Sequence, residues 1–465
     1  MPVKPRELSP ERLRRVCDLQ DFAFQSTAEV PELDEIIGQE RATRATAFGI
    51  DVPYYGYNVF AMGPSATGKT GTIMQYLEQK AASRPVPSDW AYVNNFQDPY
   101  RPRALRLPPG RGCELRDRLN DLLKHLAVSL PRAFAGEQYQ EHRGRLAREL
   151  DAQRNAEAER LDAFVTSRGF ALLRTPVGLV VAPVVNGQPL TPEQFQQLPP
   201  AQRQEIRARQ PELQEEVERA LRRIRDLEQA AQERLHNLDR EIAAATIARD
   251  FEALSQPYQE WPEIIAYLDA VRRDIVDQVD LFKTRPQPES QSVGDSASLP
   301  SPVTGERRSP FDRYRINVVV DNCKLAGAPV VLEINPTYSN LVGRIERRAE
   351  LGTLVTDLHM IKAGALHQAN GGFLVIDARV ILRQPLAWDA LKRALRYGEL
   401  RIEEPERQLG IVTVVGLEPE PIPLDVKVVL IGDPLTYYLL SAYDEEFQKL
   451  FKVRADFATE MPWTR

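Results

Sequence analysis

The chain has 465 residues, of which 43% are hydrophobic and 27% charged, and its formal net charge is −6 at pH 7. This composition allows a sizeable core in two or three domains, and it excludes a chain held to nucleic acid or to an anionic membrane by overall charge. Three widely spaced cysteines indicate neither a disulfide framework nor a zinc site, and no apolar run reaches the roughly 18 residues of a membrane span, so we expect a cytoplasmic protein.

The N-terminal part contains a phosphate-binding motif. An apolar run, 57–62, leads into the loop Gly63-Pro64-Ser65-Ala66-Thr67-Gly68-Lys69-Thr70. A strand, this loop and then a helix is the context that the G-x-x-x-x-G-K-[ST] pattern requires of a P-loop. Its glycines let backbone N–H groups wrap a polyphosphate, while Lys69 reaches the β- and γ-phosphates and the Thr70 hydroxyl binds Mg²⁺. The alternative is an ordinary glycine-rich turn.

Two further segments flank this motif. The turn at Ile37 and Gly38 enters a helix shortly before the P-loop strand and is of the kind that walls an adenine pocket. After the P-loop helix, residues 90–96 read as a strand, which we expect to be a neighbour in the P-loop sheet.

The composition changes at about residue 111. Leucines at helical spacing over 111–283 predict long amphipathic helices, paired like a coiled coil, with a β-hairpin at 169–183. This arm either is structural, with solvated charged faces, or it grips polypeptide or positions neighbouring subunits, with Phe170, Leu172 and Val180 as the candidate contacts. The predicted domains are therefore 1–110 with the P-loop, the helical arm 111–283, a disordered linker 284–312 rich in Pro and Ser, and 313–465.

The last predicted domain contains two strands that end in a carboxylate. Residues 371–377 run from a Gly-Gly pair through the four apolar residues 373–376 into Asp377, the position of a Walker B residue that holds Mg²⁺ and its waters. The alternative for Asp377 is a cap on the next helix. Residues 426–433 form a second buried strand, and its Asp433 is a candidate for orienting the attacking water and sensing the γ-phosphate.

In this order, the parts resemble the AAA+ ATPase module of bacterial Lon-like ATP-dependent proteases, and the LonB/LonC-like subfamily in particular. The resemblance extends over essentially the whole chain and implies an α/β fold, in which a P-loop core of parallel sheet and flanking helices is split by the helical arm. It implies ATP and Mg²⁺ as cofactors and a homo-oligomer, usually a hexameric ring. Such a motor unfolds protein substrates and feeds them to a Ser-Lys peptidase domain.

Four features depart from the family pattern. Asp377 is followed by Ala378 where a water-polarising Glu is usual, so we expect slow hydrolysis, since such a group is commonly worth ~10²-fold. Asp433 stands where Asn is usual, and an anion there is unhelpful unless Mg²⁺ or another cation intervenes. The arginine finger is not obvious; the local cations are Lys449, Lys452 and Arg454. We also expect the peptidase domain to be absent from this chain.

The leading hypothesis is an ATP-binding and ATP-hydrolysing module of a Lon-like protease that acts in protein catabolism. The second, based on Ala378 and Asp433, is a non-hydrolysing, nucleotide-dependent assembly or substrate-receptor module. Glu403 or Glu404 could replace the absent glutamate in space. A chromosome-maintenance ATPase is disfavoured, because no Leu-Ser-Gly-Gly-type signature precedes Asp377.

Overall fold

The computed structural model describes residues 7–13, 20, 22–30, 38–65, 67–175, 178–185, 188–190, 192–196, 198–283, 309–350, 353–403 and 416–460. Its α-helices are Glu40–Asp51, Lys69–Ala82, Gly112–Ala135, Glu137–Ser167, Pro192–Gln196, Pro200–Ser255, Pro262–Asp277, Tyr338–Val342, Ala365–Gln368, Ala378–Leu382, Pro385–Tyr397, Pro434–Tyr443 and Glu445–Leu450. None of these helices combines the length and apolar character needed to cross a membrane.

A five-stranded parallel sheet lies at the centre of the P-loop region. Its spatial order is Val453–Asp456, Val59–Met62, Lys427–Gly432, Phe373–Asp377 and Val330–Glu333. The P-loop strand is buried at all four positions, as expected of a parallel strand covered on both faces. The predicted α/β class is confirmed.

Helices cover both faces of this sheet. On one face, Glu40–Asp51 and Lys69–Ala82 bury Ile50, Ile73 and Leu77 against the sheet. On the other, the segments that follow Asp377 and Asp433 bury residues such as Ile381, Leu391 and Phe447. The strands Val59–Met62, Phe373–Asp377 and Lys427–Gly432 each lead into a helix, and the connecting loops lie at the carboxyl edge of the sheet.

The prediction for the strand after the P-loop helix is wrong. Asp89–Val93 does not neighbour Val59–Met62; it is the central strand of a separate antiparallel sheet, between Arg103–Leu107 and Asn317–Val320. An apolar run of this length has the same pattern in either sheet, because local periodicity does not specify the partner strand.

This antiparallel sheet packs with the long helices, and the two together form the helical unit of the chain. Ala91, Leu107, Leu119, Ile247 and Ile316 belong to one continuous core that also includes side chains of Pro262–Asp277. The domain limits drawn from composition, at residues 110 and 313, both cut through this core.

The remaining strands form small two- or three-stranded units: Phe170–Thr175, Gly178–Val185, Gln188–Pro189, Gly343–Ile345, Arg348–Glu350, Thr353–Val355, Ile361–Ala363, Glu399–Leu400 and Ile422–Pro423.

The paired helices and the hairpin of the arm are present as predicted. Glu137–Ser167 packs on Pro200–Ser255, and Phe170–Thr175 pairs antiparallel with Gly178–Val185. However, Phe170 is buried at 4% exposure, and Leu172 packs as a half-buried side chain on the same cluster. Phe170 is therefore part of the arm's own core instead of an exposed contact, and the side chain of Val180 lies outside the described part.

Only the end of the predicted linker, residues 309–312, lies within the described residues. Residues 284–308 lie outside the described residues. Residues 310–312 belong to a 3-10 helix, Pro310–Tyr314, capped by Ser309, and Phe311 and Tyr314 are buried in the core of the helical unit. The end of the predicted linker is thus ordered, because two aromatic side chains anchor it.

A buried carboxylate joins the two ends of the helical unit. Asp89 is fully buried and accepts hydrogen bonds from the backbone N–H groups of Gly110 at 3.2 Å, Gly112 at 2.7 Å and Asn322 at 3.0 Å. It therefore connects the start of Gly112–Ala135 with the segment that returns toward the parallel sheet. It satisfies the buried backbone donors of Gly112 and Asn322 and the half-buried donor of Gly110.

Two cysteines also meet at this junction. The Cys113 Sγ donates to Asp321 Oδ2 at 3.0 Å, and the Cys323 Sγ lies 3.5 Å from the same oxygen. Burial and the neighbouring Asp321 raise the pKa of the Cys113 thiol to about 11, so it is protonated at neutral pH. Sequence spacing alone does not predict this contact, because the whole helical unit separates the two residues.

We expect Asp89→Ala to lower the free energy of unfolding by about 3 kcal/mol, because it leaves three N–H groups without an acceptor, two of them on buried residues. Urea denaturation of the variant and of Asp121→Ala measures this. Asp121 is the matched control, since its side chain is 74% exposed on the same helix that Asp89 holds. Equal effects of the two substitutions would contradict the role given to Asp89.

Candidate phosphate-binding site

The P-loop leaves the sheet beside the end of a neighbouring strand. Gly63 N–H donates to the Gly432 carbonyl at 3.3 Å, and a Cβ at Gly63 would lie 2.9 Å from the Phe457 Cβ. Gly68 has φ +72°, a left-handed conformation that favours glycine, and the P-loop helix begins at Lys69. Gly68 is therefore favoured by its backbone conformation, and Gly63 by the close approach of Phe457.

The loop is open toward solvent where a ligand would lie. A Cβ added at Gly68 or Gly71 would meet no atom within 4 Å. Lys69 Nζ donates to the carbonyl of Gly63 at 2.8 Å and to that of Pro64. Burial lowers the pKa of Lys69, against the opposing effect of Asp433 and Asp377. The ammonium group thus caps backbone carbonyls of its own loop and lies within the electrostatic reach of both predicted carboxylates.

These elements enclose a cavity of about 370 Å³. Its lining residues are Gly63, Ser65, Thr67, Gly68, Lys69, Thr70, Gly71, Asp377, Arg379, Ile431, Gly432 and Asp433. The structure therefore brings most of the predicted site residues together. Pro64 and Gly38 are not part of the lining, and Ile37 and Ala66 lie outside the described residues.

Asp377 makes the contacts of a helix cap. Its Oδ1 accepts from the backbone N–H groups of Arg379 at 2.8 Å and Val380 at 3.2 Å, at the start of Ala378–Leu382. The carboxylate is exposed at the cavity. Because both bonds use Oδ1, capping and a contact from Oδ2 to a hydrated metal ion are compatible, and the two interpretations of this residue do not exclude each other.

Asp433 is fixed more firmly than Asp377. Its Oδ2 accepts from the Thr436 hydroxyl at 2.6 Å and from Arg379 Nε at 2.7 Å, and its Oδ1 accepts from the Thr436 backbone N–H at 3.0 Å. Burial opposes ionisation, but the bonds from Thr436 and Arg379 prevail and hold the pKa of Asp433 well below its usual range. The carboxylate is therefore ionised and paired at neutral pH.

Arg379 is the site residue that sequence reasoning missed. It lies two positions after Asp377 and supplies the cation that an acid at position 433 requires. The signal available was the unusual Asp-Ala-Arg order after the strand, together with Asp433 in place of a neutral residue. Local pattern alone does not show that these segments meet, since 54 positions separate Arg379 from Asp433.

Ala378 is fully buried, and its Cβ would lie 3.3 Å from a Cβ placed at Gly432. The position after Asp377 thus faces the core. Among the described residues, Asp377 and Asp433 are the carboxylates that line the cavity. Glu403 pairs with Arg393 instead, at 3.4 Å, and lines other cavities, while Glu404 lies outside the described part.

The remaining predicted residues do not line the cavity. Gly38 has φ +73°, and the Gln39 side chain after it exchanges two hydrogen bonds with the backbone of Ala458, next to Phe457. Lys452 Nζ donates to the Tyr55 carbonyl at 3.1 Å, and the Arg454 guanidinium lies 5.8 Å from the Tyr437 ring centroid. Neither cation lines the cavity, nor does Lys449.

The donor set fits magnesium bound together with a phosphate ligand. Within the described part of the chain, no group of three His, Cys, Asp or Glu residues forms a metal cage. Mg²⁺ usually keeps several waters and takes one or two protein oxygens plus phosphate oxygens. Thr70 and Asp377, both at the cavity beside an open P-loop, are residues that would hold it.

The sheet order and this site define a P-loop module of the AAA class. Residues 326–458 match the family described as "LonB-like, AAA domain", and residues 89–122 match "Lon-like LonC helical domain". A homolog of Lon protease from Escherichia coli (strain K12) is 36% identical over 76 residues, which is 16% of this chain and only 12% of that protein. Residues 326–458 therefore match a Lon-like AAA module, as the resemblance implied. The second match begins at strand Asp89–Val93, which belongs to the helical unit.

The two roles of Asp377 are separable by substitution. Asp377→Ala is expected to lower the free energy of unfolding by about 1 kcal/mol through loss of the cap, whereas Asp377→Ser keeps a capping oxygen and stays close to the wild type. Both variants lose the carboxylate, so both are expected to lose Mg²⁺-dependent nucleotide affinity. Thermal unfolding measures the first effect, and titration with nucleotide in the presence and absence of Mg²⁺ measures the second. If the nucleotide affinity of Asp377→Ser depends on Mg²⁺ as fully as that of the wild type, capping is the only role of Asp377.

Proposed function

We propose that this chain is the ATP-binding and ATP-hydrolysing module of a Lon-like ATP-dependent protease. One observation carries the proposal: a P-loop lysine, an exposed strand-end carboxylate and an arginine–carboxylate pair converge on a single cavity at the carboxyl edge of a parallel sheet. That edge is where open α/β sheets bind their ligands.

Each residue has a distinct part in this proposal. The Gly63–Thr70 loop binds the phosphates through its backbone N–H groups and the N-terminus of Lys69–Ala82. Lys69 exchanges its bonds to loop carbonyls for bonds to phosphate oxygens. Thr70 and Asp377 hold Mg²⁺, which supplies charge neutralisation when bound. Asp433 orients the Arg379 guanidinium and the Thr436 hydroxyl, which both donate hydrogen bonds to it.

The finer part of the proposal concerns substrates and assembly. By analogy with Lon-like proteases, we infer that the module forms a homo-oligomeric, hexameric ring, unfolds protein substrates and delivers them to a Ser-Lys peptidase. The helical unit, with its 56-residue helix Pro200–Ser255, is the candidate for contact with substrate or with neighbouring subunits.

A second function is favoured by a specific observation. The position where a water-polarising glutamate is usual holds the fully buried Ala378, and Asp433 is already engaged by Arg379 and Thr436. A module with these features binds ATP tightly and hydrolyses it slowly or not at all. It would then act as a nucleotide-dependent assembly or substrate-receptor module.

Lys69→Ala tests the proposal directly. We expect it to weaken Mg·ATP binding by roughly tenfold to a hundredfold, because a charge-assisted contact to the phosphates is lost. Lys80→Ala is the control: Lys80 lies in the last turn of the same helix and pairs with Asp51, and it does not line the cavity. Calorimetry measures binding, and phosphate release from the assembled protein measures turnover.

The outcomes separate the two functions. Binding and turnover that both depend on Lys69 support the motor. Binding that depends on Lys69 without any turnover supports the receptor module. Wild-type protein that binds no nucleotide, or binds equally well after Lys69→Ala, contradicts both.

A further inference from the structure

We propose that Arg379 distinguishes a nucleoside triphosphate from a diphosphate in the phosphate cavity, with Asp433 as its anchor. The inference rests on the proposed function and names the group that responds to the third phosphate. Nothing in the P-loop pattern indicates this residue.

The first argument is geometric. Arg379 donates from Nε to Asp433 Oδ2 at 2.7 Å, and its side chain is 60% exposed, whereas that of Asp433 is 17% exposed. The bond uses Nε, so the two terminal amino groups of the guanidinium lie outside it. A guanidinium presents a planar fork of donors that matches phosphate oxygens. The carboxylate thus holds the guanidinium at the cavity by one edge.

The second argument is chemical. Both oxygens of Asp433 accept hydrogen bonds, from Arg379 and from the hydroxyl and backbone N–H of Thr436. An ionised carboxylate has no proton to donate to a phosphate oxygen. The donor at the end of strand Lys427–Gly432 is therefore the guanidinium that Asp433 holds, in place of a neutral side chain at position 433.

The third argument is the balance of charge. The cavity is lined by two cations, Lys69 and Arg379, and two carboxylates, Asp377 and Asp433. Without Arg379, one cation faces two carboxylates. The resulting repulsion acts more strongly on a triphosphate than on a diphosphate, because the triphosphate carries more negative charge. Loss of Arg379 should therefore change the preference between the two ligands as well as the affinity.

The test compares Mg·ATP and Mg·ADP binding by calorimetry in matched variants. Arg379→Ala is expected to weaken ATP binding about tenfold or more, and ADP binding less than about threefold. Arg379→Lys keeps the positive charge but loses the planar fork of donors. Its affinity for ATP is therefore expected to lie between those of the wild type and Arg379→Ala. Arg383→Ala is the control, because Arg383 is an exposed arginine at the end of the same short helix and outside the cavity lining.

A double substitution separates charge from structure. If Arg379 neutralises Asp433, then Asp433→Asn in the Arg379→Ala background restores part of the lost ATP affinity, since it removes the unpaired carboxylate. If the Arg379–Asp433 bridge is purely structural, Arg379→Ala would instead lower the thermal midpoint in the absence of nucleotide. It would then weaken the binding of ATP and of ADP equally. An unchanged ratio of ATP to ADP affinity in Arg379→Ala overturns the proposal.

Failure of this inference is distinguishable from failure of the proposed function. If wild-type protein binds both nucleotides in a Lys69-dependent way and Arg379→Ala leaves their ratio unchanged, only the role of Arg379 is wrong. If wild-type protein binds neither nucleotide, the proposed function and this inference fall together.

Discussion

Parallel pairing of three strands is the contact on which the whole site depends. Val59–Met62 lies between Lys427–Gly432 and Val453–Asp456, in a register that pairs Met62 with Gly432 and with Asp456. The strand ends consequently lie side by side, and Gly63 bonds directly to the Gly432 carbonyl. A shift of one residue would exchange the faces of the strand and move the loop away from Asp433.

A balance of opposite charges characterises the cavity that this register creates. The P-loop ammonium is bonded to its own loop, and the acid at position 433 is neutralised by a guanidinium from the neighbouring strand's helix. Charged groups at a partly buried site persist only when they are paired. The Arg379–Asp433 pair thus explains how an acid is accommodated next to a phosphate loop. The pair does not change the position after Asp377, where the buried Ala378 still departs from the pattern of a hydrolysing site.

The sequence predicts those parts of the fold whose determinants are local. The glycines and Lys69 of the P-loop, the buried strand before Asp377, and the hairpin after Phe170 all have short-range signals, and the structure contains each of them. The partner of strand Asp89–Val93 and the meeting of Arg379 with Asp433 depend on contacts between distant segments. Periodicity carries no information about such contacts, so these features emerge only from the fold.

The central claim is that the carboxyl edge of the parallel sheet binds the phosphates of a nucleotide. Hydrogen–deuterium exchange with and without Mg·ATP tests it most directly, because it reports on each backbone segment without any substitution. The account predicts slower exchange at the loop and first turn of helix Lys69–Ala82 and at the start of Ala378–Leu382. Unchanged exchange at both segments under saturating Mg·ATP would contradict it.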